Sequence, residues 1–449
     1  MTNETIKFPK DFVWGTATSS HQIEGAVNED GRTPSIWDTF SHTPGKIHDA
    51  TNADVACDHY HRVEEDTDII SNLVPNYRFS TSWTRILPDG TGKVNPKGVD
   101  FYNRLIDTLL EKGVDPWLTM YHWDLPQSLE DKGGWTSRDI IKWFEEYASV
   151  LVDNFSDRVK NWAIINEPSV ISVKGYGWGA HAPGLTGEDN ILSSTHHINM
   201  TIGNTYNLVK SINDKLNVGS TYNLMPIKPE NSDTPQEAFE HIDGFWNRNF
   251  FDPLILGEYP RVIREAISKY VKDGDMDVTK TDLDFVGVQH YNPDLAAHNP
   301  EYPFNAFFGD PGDVPKTDIG WVIDPQAFHD VLVDFKNRYG DVPLYVTENG
   351  CAFSDPVVDG ECKDDRRVAF LNGYIRAMHK AITEGNVNLK GYFLWSLMDN
   401  YEWEFGYEQR FGIVHVDYET LKRTPKSSYY WYQKLVKENG LLKEKDVAA

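Results

Sequence analysis

The sequence predicts an α/β protein built as a single (β/α)8 TIM barrel with long βα loops, and three observations carry that prediction. Eight short apolar or β-branched runs recur along the chain, separated by loops and longer amphipathic stretches. The C-terminal ends of these runs collect polar and aromatic side chains, at the rim where such a barrel builds its site. No linker, low-complexity segment or short-period repeat divides the 449 residues. Length alone would suggest about three domains, but α/β barrels run long as one unit, so residues 1–449 read as a single domain.

The first run begins near Phe12 (FVWGTA) and leads toward Gln22. The second, near Asn76 (NYRFS), carries Arg78, and a helix follows over Lys97 to Lys112, with Val99, Tyr102, Leu105, Ile106 and Leu109 at helical spacing. The third, near Asp115 (DPWLTMYH), ends at His122 and Trp123, and the next helix spans Ser137 to Asn154 with Ser137 as its expected N-cap. The fourth, near Asn161 (NWAIINE), ends in Asn166 and Glu167. The fifth, near Leu216 (LNVGSTYN), has the faintest pattern and ends at Asn223. The sixth (DFVGVQHY, from Asp284) ends at Tyr291, the seventh (PLYVTE, from Pro343) at Glu348, and the eighth (LKGYFLWS, from Leu389) at Trp395.

Composition removes several classes of function. A net charge of −25 repels phosphate backbones and anionic bilayers, so no nucleic-acid or membrane partner is expected. No stretch approaches the roughly 18 apolar residues of a membrane helix, and the N-terminus lacks a basic start and apolar core. Three scattered cysteines, Cys57, Cys351 and Cys362, suit a reducing compartment, so the expected location is cytoplasmic. His59, His61, His196 and His197 form no metal-ligand pattern and read as helix or surface residues; no metal or other cofactor is expected. The acidic balance fits either salt adaptation or an ordinary acidic enzyme. Aromatics reach 13% of the chain, more flat apolar surface than packing obviously requires.

Two carboxylates stand at the ends of apolar runs: Glu167 in Asn166-Glu167-Pro168, and Glu348 in Thr347-Glu348-Asn349-Gly350. A carboxylate at such a place must be paired, hydrogen-bonded or functional. One reading is a pair of buried salt bridges tying loops together. The other is glycoside hydrolysis, in which one carboxyl protonates the leaving oxygen and its partner handles the anomeric carbon.

The residues around this pair resemble the family 1 glycoside hydrolases, the β-glucosidase family. The resemblance runs from Phe12-Val13-Trp14-Gly15-Thr16-Ala17 through Gln22-Ile23-Glu24-Gly25, Cys57-Asp58-His59-Tyr60 and Tyr77-Arg78-Phe79-Ser80. It continues through Tyr121-His122-Trp123-Asp124-Leu125-Pro126, both carboxylate motifs and Gly412-Ile413-Val414. It implies a retaining β-glycosidase acting on terminal β-D-glucosyl residues of neutral O-glycosides, with Glu348 as nucleophile and Glu167 as acid/base. Arg78 and Tyr291 would stabilise the nucleophile's charge, and the carboxyl groups should lie about 5 to 5.5 Å apart. The resemblance also implies that Gln22, His122 and Glu402 hold hydroxyls at the far edge of the sugar, that Asn166 binds the 2-hydroxyl, that Tyr291 also contacts substrate, that Trp395 forms the stacking floor and that Trp403 adds an indole N–H.

Glu402 argues for neutral sugars, because an anion beside a substrate phosphate is costly in a dry pocket. β-Galactosidase or β-fucosidase side activity is implied as well, and small β-glucosides or short oligosaccharides are the expected partners. One departure stands out: the family's Asn-x-Tyr at the sixth strand is here Gln289-His290-Tyr291. The leaving-group side is expected around Trp178, Asn223 and Trp321. Two alternatives remain open on sequence alone, a transglycosylating β-glycosidase and a non-catalytic carbohydrate-binding relative; Gln22, His122 and Trp395 could each be structural.

Overall fold

A computed structural model describes residues 5–441. Eight parallel strands close a barrel in sequential order: β1 (Val13–Ala17), β2 (Asn76–Ser80), β3 (Asp115–Tyr121), β4 (Asn161–Asn166), β5 (Asn217–Asn223), β6 (Phe285–Gln289), β7 (Leu344–Asn349) and β8 (Leu389–Trp395). All eight predicted runs are barrel strands, the faint fifth included. Their near-continuous burial explains why they read as apolar runs rather than as alternating ones. The ring closes where β8 pairs with β1, with Trp395 opposite Ala17.

Helices α1 (Val63–Leu73), α2 (Pro96–Glu111), α3 (Ile140–Phe155), α4 (Glu188–Ile212), α5 (Gln236–Asp243), α6 (Pro325–Tyr339), α7 (Asp365–Thr383) and α8 (Ser427–Glu438) lie between or after the strands. In α2 the five predicted apolar positions are all buried, and Pro96 sits in the first turn, where its missing N–H is harmless. Helix α3 starts later than its sequence suggested. Gly133 and Gly134 lead into a 3-10 turn, Gly134–Thr136, that draws Ser137 out of the helix. Asp139 therefore takes the N-cap position, and the Ser137 hydroxyl accepts the Asp139 N–H at 3.3 Å instead of capping the helix.

Inside the barrel, Trp117 packs edge-on against Phe285, Tyr345 and Phe393, with ring centroids 5.7, 5.0 and 4.9 Å away. Gly15 makes room for this plug, since a Cβ there would lie 2.4 Å from the Phe393 ring. Trp37, Trp83, Trp135 and Trp162 are almost wholly buried as well. Packing therefore accounts for much of the aromatic surplus that the sequence left open. The four histidines expected to be helix or surface residues all lie in helical segments, and three of them are buried there. His59 is buried on Asp66, His196 on Asp275 and Tyr259, and His197 on the Trp135 carbonyl, while His61 alone of the four is exposed. Among the described residues no cluster of three or more His, Cys, Asp or Glu could hold a metal ion, and no helix is long and apolar enough to cross a membrane.

Candidate active site

The C-terminal ends of the strands surround a cavity of about 180 Å³, lined by His122, Trp123, Glu167, Tyr291, Glu348, Trp395, Glu402 and Trp403 among others. Gln22, Arg78 and Asn166 stand one layer back and touch this lining, so the predicted site residues converge. The backbone is specialised here: Trp123, Glu167 and Trp403 all have positive φ, at 79°, 47° and 48°. Left-handed geometry at non-glycine residues costs of order 1 kcal/mol each and tends to gather at functional sites. At Glu167 it is held by the Glu167 N–H donating to the Thr221 carbonyl at 2.8 Å. Gly350 allows the loop after β7 to approach β8, because a Cβ there would fall 1.7 Å from the Trp395 carbonyl oxygen.

The two carboxyl groups have unequal company. Glu348 Oε1 accepts from Arg78 Nη1 at 2.6 Å and Gln289 Nε2 at 2.8 Å, and its Oε2 accepts from the Tyr291 hydroxyl at 2.6 Å. Glu167 Oε1 accepts one amide, Asn223 Nδ2, at 3.0 Å. That amide is oriented by the Trp246 indole N–H, which donates to Asn223 Oδ1 at 3.0 Å. Burial pushes both carboxyls upward. For Glu348 the Arg78 charge and the Tyr291 hydrogen bond oppose the rise. For Glu167 the negative Glu348 adds to burial and carries it up to about 8. The donors around Glu348 thus favour its anion, and the Glu348 charge favours the protonated form of Glu167.

Asn166 is fixed with similar economy. Its Oδ1 receives Arg78 Nη2 at 2.6 Å, Gln289 Nε2 at 2.7 Å and the Thr221 hydroxyl at 2.9 Å, so its Nδ2 is the outward donor. That amide meets His122 Nε2 at 3.1 Å, which leaves the ring proton on His122 Nδ1, a buried atom with no protein partner. Burial, then the Arg78 charge, hold His122 well below its usual range, so it is neutral. Gln22 takes the Ser19 hydroxyl on its Oε1 at 2.6 Å and reaches toward Glu402 Oε2 with Nε2 at 3.4 Å. Trp403 packs against Trp123 at 4.4 Å, and Trp395 stacks on His122 at 5.8 Å.

Gln289, flagged in the sequence only as a departure, is fully buried and bridges Asn166 to Glu348. Asn223 and Trp321 line the cavity as expected, but Trp178 does not. It packs behind, against Trp246 and Phe308 at 6.0 and 5.4 Å. Sequence reading missed Lys174, His181 and Glu404, which also line the cavity. A lysine at the end of the apolar stretch Val170-Ile171-Ser172-Val173 was a signal that could have been read.

The family model of glycosyl hydrolase family 1 matches residues 4–441. Beta-glucosidase A of Thermotoga maritima is 46% identical over 97% of this chain and 99% of its own length, and Beta-glucosidase A of Acetivibrio thermocellus is 43% identical over the same shares. A solved structure, the beta-glucosidase from Thermotoga maritima in complex with glucoimidazole, superposes with a TM-score of 0.92 at 45% identity, covering 97% of this chain and all of that one. A match over nearly the whole chain, on a closed barrel with paired carboxyls at its rim, means that the chain belongs to glycosyl hydrolase family 1.

Proposed function

We propose that the chain, as one catalytic domain, is a retaining β-glucosidase that cleaves terminal β-glucosyl residues of neutral O-glycosides by double displacement. The observation that carries this reading is the unequal hydrogen bonding of two buried carboxyls, which separates an anion from an acid. Glu348 Oε1 has two donors and Oε2 one, so Oε2 is the freer oxygen to attack the anomeric carbon. As the C–O bond to the leaving group breaks, Glu167 gives that oxygen its proton and a glycosyl ester forms on Glu348. Esterification removes the Glu348 charge. The acidity of Glu167 then rises, because one of the two causes holding its proton is gone. As a carboxylate it takes a proton from water, the water oxygen attacks the anomeric carbon, and the ester bond breaks to return Glu348 as an anion.

Asn166 Nδ2 is positioned to donate to the 2-hydroxyl, a contact that strengthens in an oxocarbenium-like transition state. His122 Nδ1–H, Gln22 and Glu402 take the far hydroxyls, Trp403 adds its indole N–H, and Trp395 carries the apolar face. Because Gln22 and Glu402 can meet either orientation of the 4-hydroxyl, β-galactosides and β-fucosides are secondary substrates. Proton NMR of the first sugar released from an aryl β-glucoside tests the mechanism. The β-anomer is expected to appear first and mutarotate later. Initial α-glucose would mean inversion and would overturn the nucleophile assignment.

A further inference from the structure

At the end of β6 one neutral side chain ties Glu348 to Asn166. Gln289 is wholly buried and stands behind the cavity lining. Its Nε2 carries two hydrogens, and each has its own acceptor: Asn166 Oδ1 at 2.7 Å and Glu348 Oε1 at 2.8 Å. Arg78 bridges the same two oxygens with Nη2 and Nη1, both at 2.6 Å, so the four side chains close a ring drawn from β2, β4, β6 and β7. Arg78 brings a charge to that ring and Gln289 brings none. The Gln289 Oε1 is itself buried with no protein partner. A buried acceptor in that state is costly, and a methionine would fill much the same volume without the cost, so packing does not account for the amide.

Length decides which acceptors the amide meets. Gln289 pairs with Glu348 across the β6–β7 ladder, whereas Asn166 lies two strands away, with Thr221 of β5 between them. Thr221 and Thr347 close over Gly287, two residues before Gln289 on the same face of β6, where a Cβ would lie 2.5 Å from Thr221 Cγ2 and 2.8 Å from Thr347 Oγ1. The Gln289 side chain thus runs above a filled floor, and its full length carries the amide past β5 to Asn166. An asparagine amide, one methylene nearer the backbone, stays with Glu348 and falls short of Asn166.

Two bonds from one amide nitrogen compete for its polarisation, and an anionic Glu348 takes the larger share. As that charge passes into the bond with the anomeric carbon, Gln289 donates more strongly to Asn166 Oδ1. Density drawn onto Oδ1 makes Asn166 Nδ2–H the better donor, and Nδ2 is the outward atom. Resting on the β-glucosidase reading above, we propose that Gln289 is a positioning residue that couples the 2-hydroxyl contact of Asn166 to the charge of the nucleophile, so that the contact tightens as Glu348 attacks. An interaction stronger in the transition state than in the bound substrate raises the rate rather than the affinity alone.

The test measures kcat/KM for 4-nitrophenyl β-glucoside and 4-nitrophenyl 2-deoxy-β-glucoside across the pH profile in wild type, Gln289→Met and Gln289→Asn. Both constants report the first displacement, so their ratio isolates the 2-hydroxyl. In Gln289→Met the glucoside-to-2-deoxyglucoside ratio should fall about tenfold, and the acid limb should move to higher pH because the Glu348 anion loses a donor. In Gln289→Asn the ratio should fall by a comparable factor while the acid limb stays in place. The charged and titratable groups facing Glu348, which are Arg78 from β2, Glu167 after β4, Tyr291 after β6 and Glu402 after β8, are the same in both variants. Equal losses on the two substrates would overturn the coupling and leave Gln289 a structural role. A wild-type ratio in Gln289→Asn, or an acid limb displaced there as far as in Gln289→Met, would overturn it as well. Should Gln289→Met fail to fold, the ratio in Gln289→Asn decides alone. Failure of wild type to hydrolyse the glucoside would instead strike the β-glucosidase reading.

Discussion

Glu348 and Glu167 are the same residue type, both at the C-terminal ends of barrel strands and both buried, with 3% and 4% exposure. Their surroundings differ in one respect: Glu348 receives three donors, one of them a buried guanidinium, and Glu167 receives one neutral amide. Burial alone would neutralise both. If Glu348 is the nucleophile and Glu167 the acid, as proposed, the division of labour is set by placed donors, and the negative Glu348 helps Glu167 keep its proton.

Removing the Glu348 carboxylate should have the largest effect. Glu348→Gly should lower turnover of aryl β-glucosides on the order of 10⁵-fold, since the whole first displacement is lost. Added azide should restore reaction by attacking the anomeric carbon in place of the missing carboxylate, giving the α-glucosyl azide. Full hydrolysis without azide would show that another group attacks.

Removing the acid should cost less. Glu167→Gln is expected to slow β-glucosides with poorly acidic leaving groups about 10³-fold, and dinitrophenyl glucosides far less in the first step, because a good leaving group needs no proton. The ratio of the two losses is the reading; equal losses would mean that Glu167 does not protonate the leaving oxygen.

The finest test moves the two limbs of the pH profile separately. The proposed mechanism requires Glu348 ionised and Glu167 protonated, so kcat/KM should fall on the acid side through Glu348 and on the alkaline side through Glu167, near pH 8. Tyr291→Phe removes a hydrogen bond that lowers Glu348, so the acid limb should move to higher pH with a loss of about 10²-fold. Asn223→Ala removes the hydrogen bond that lowers Glu167, so the alkaline limb should move up, with about fivefold less activity. Either substitution shifting the other limb would reverse the assignment.

The barrel was legible because the strands are largely buried and lead into polar or aromatic residues at the rim, which is why even the weak run ending at Asn223 could be placed. The paired carboxyls were legible for the same reason, since an acid at the end of an apolar strand demands an explanation. Local start signals were less reliable: Ser137 has the chemistry of an N-cap, but the backbone freedom of Gly133 and Gly134 moves the helix start past it. Trp178 could not be separated from Trp246, because which indole faces a cavity depends on packing between loops rather than on residue type. The pairing of Lys174 with Glu404 links distant loops and leaves no periodic trace. Gln289 announced itself as a change of side chain, but its simultaneous reach to Asn166 and Glu348 depends on how β4, β6 and β7 converge.

On the proposed mechanism Glu348 becomes covalently glucosylated during turnover. Incubation with a 2-deoxy-2-fluoro-β-glucoside bearing a good leaving group slows the second displacement more than the first, so the intermediate should accumulate. Mass spectrometry should find one fluoroglucosyl group per chain, and peptide sequencing should place it on Glu348 in Thr347-Glu348-Asn349-Gly350. A chain that turns over β-glucosides yet never gains this mass, or carries it on any other residue, would contradict the account.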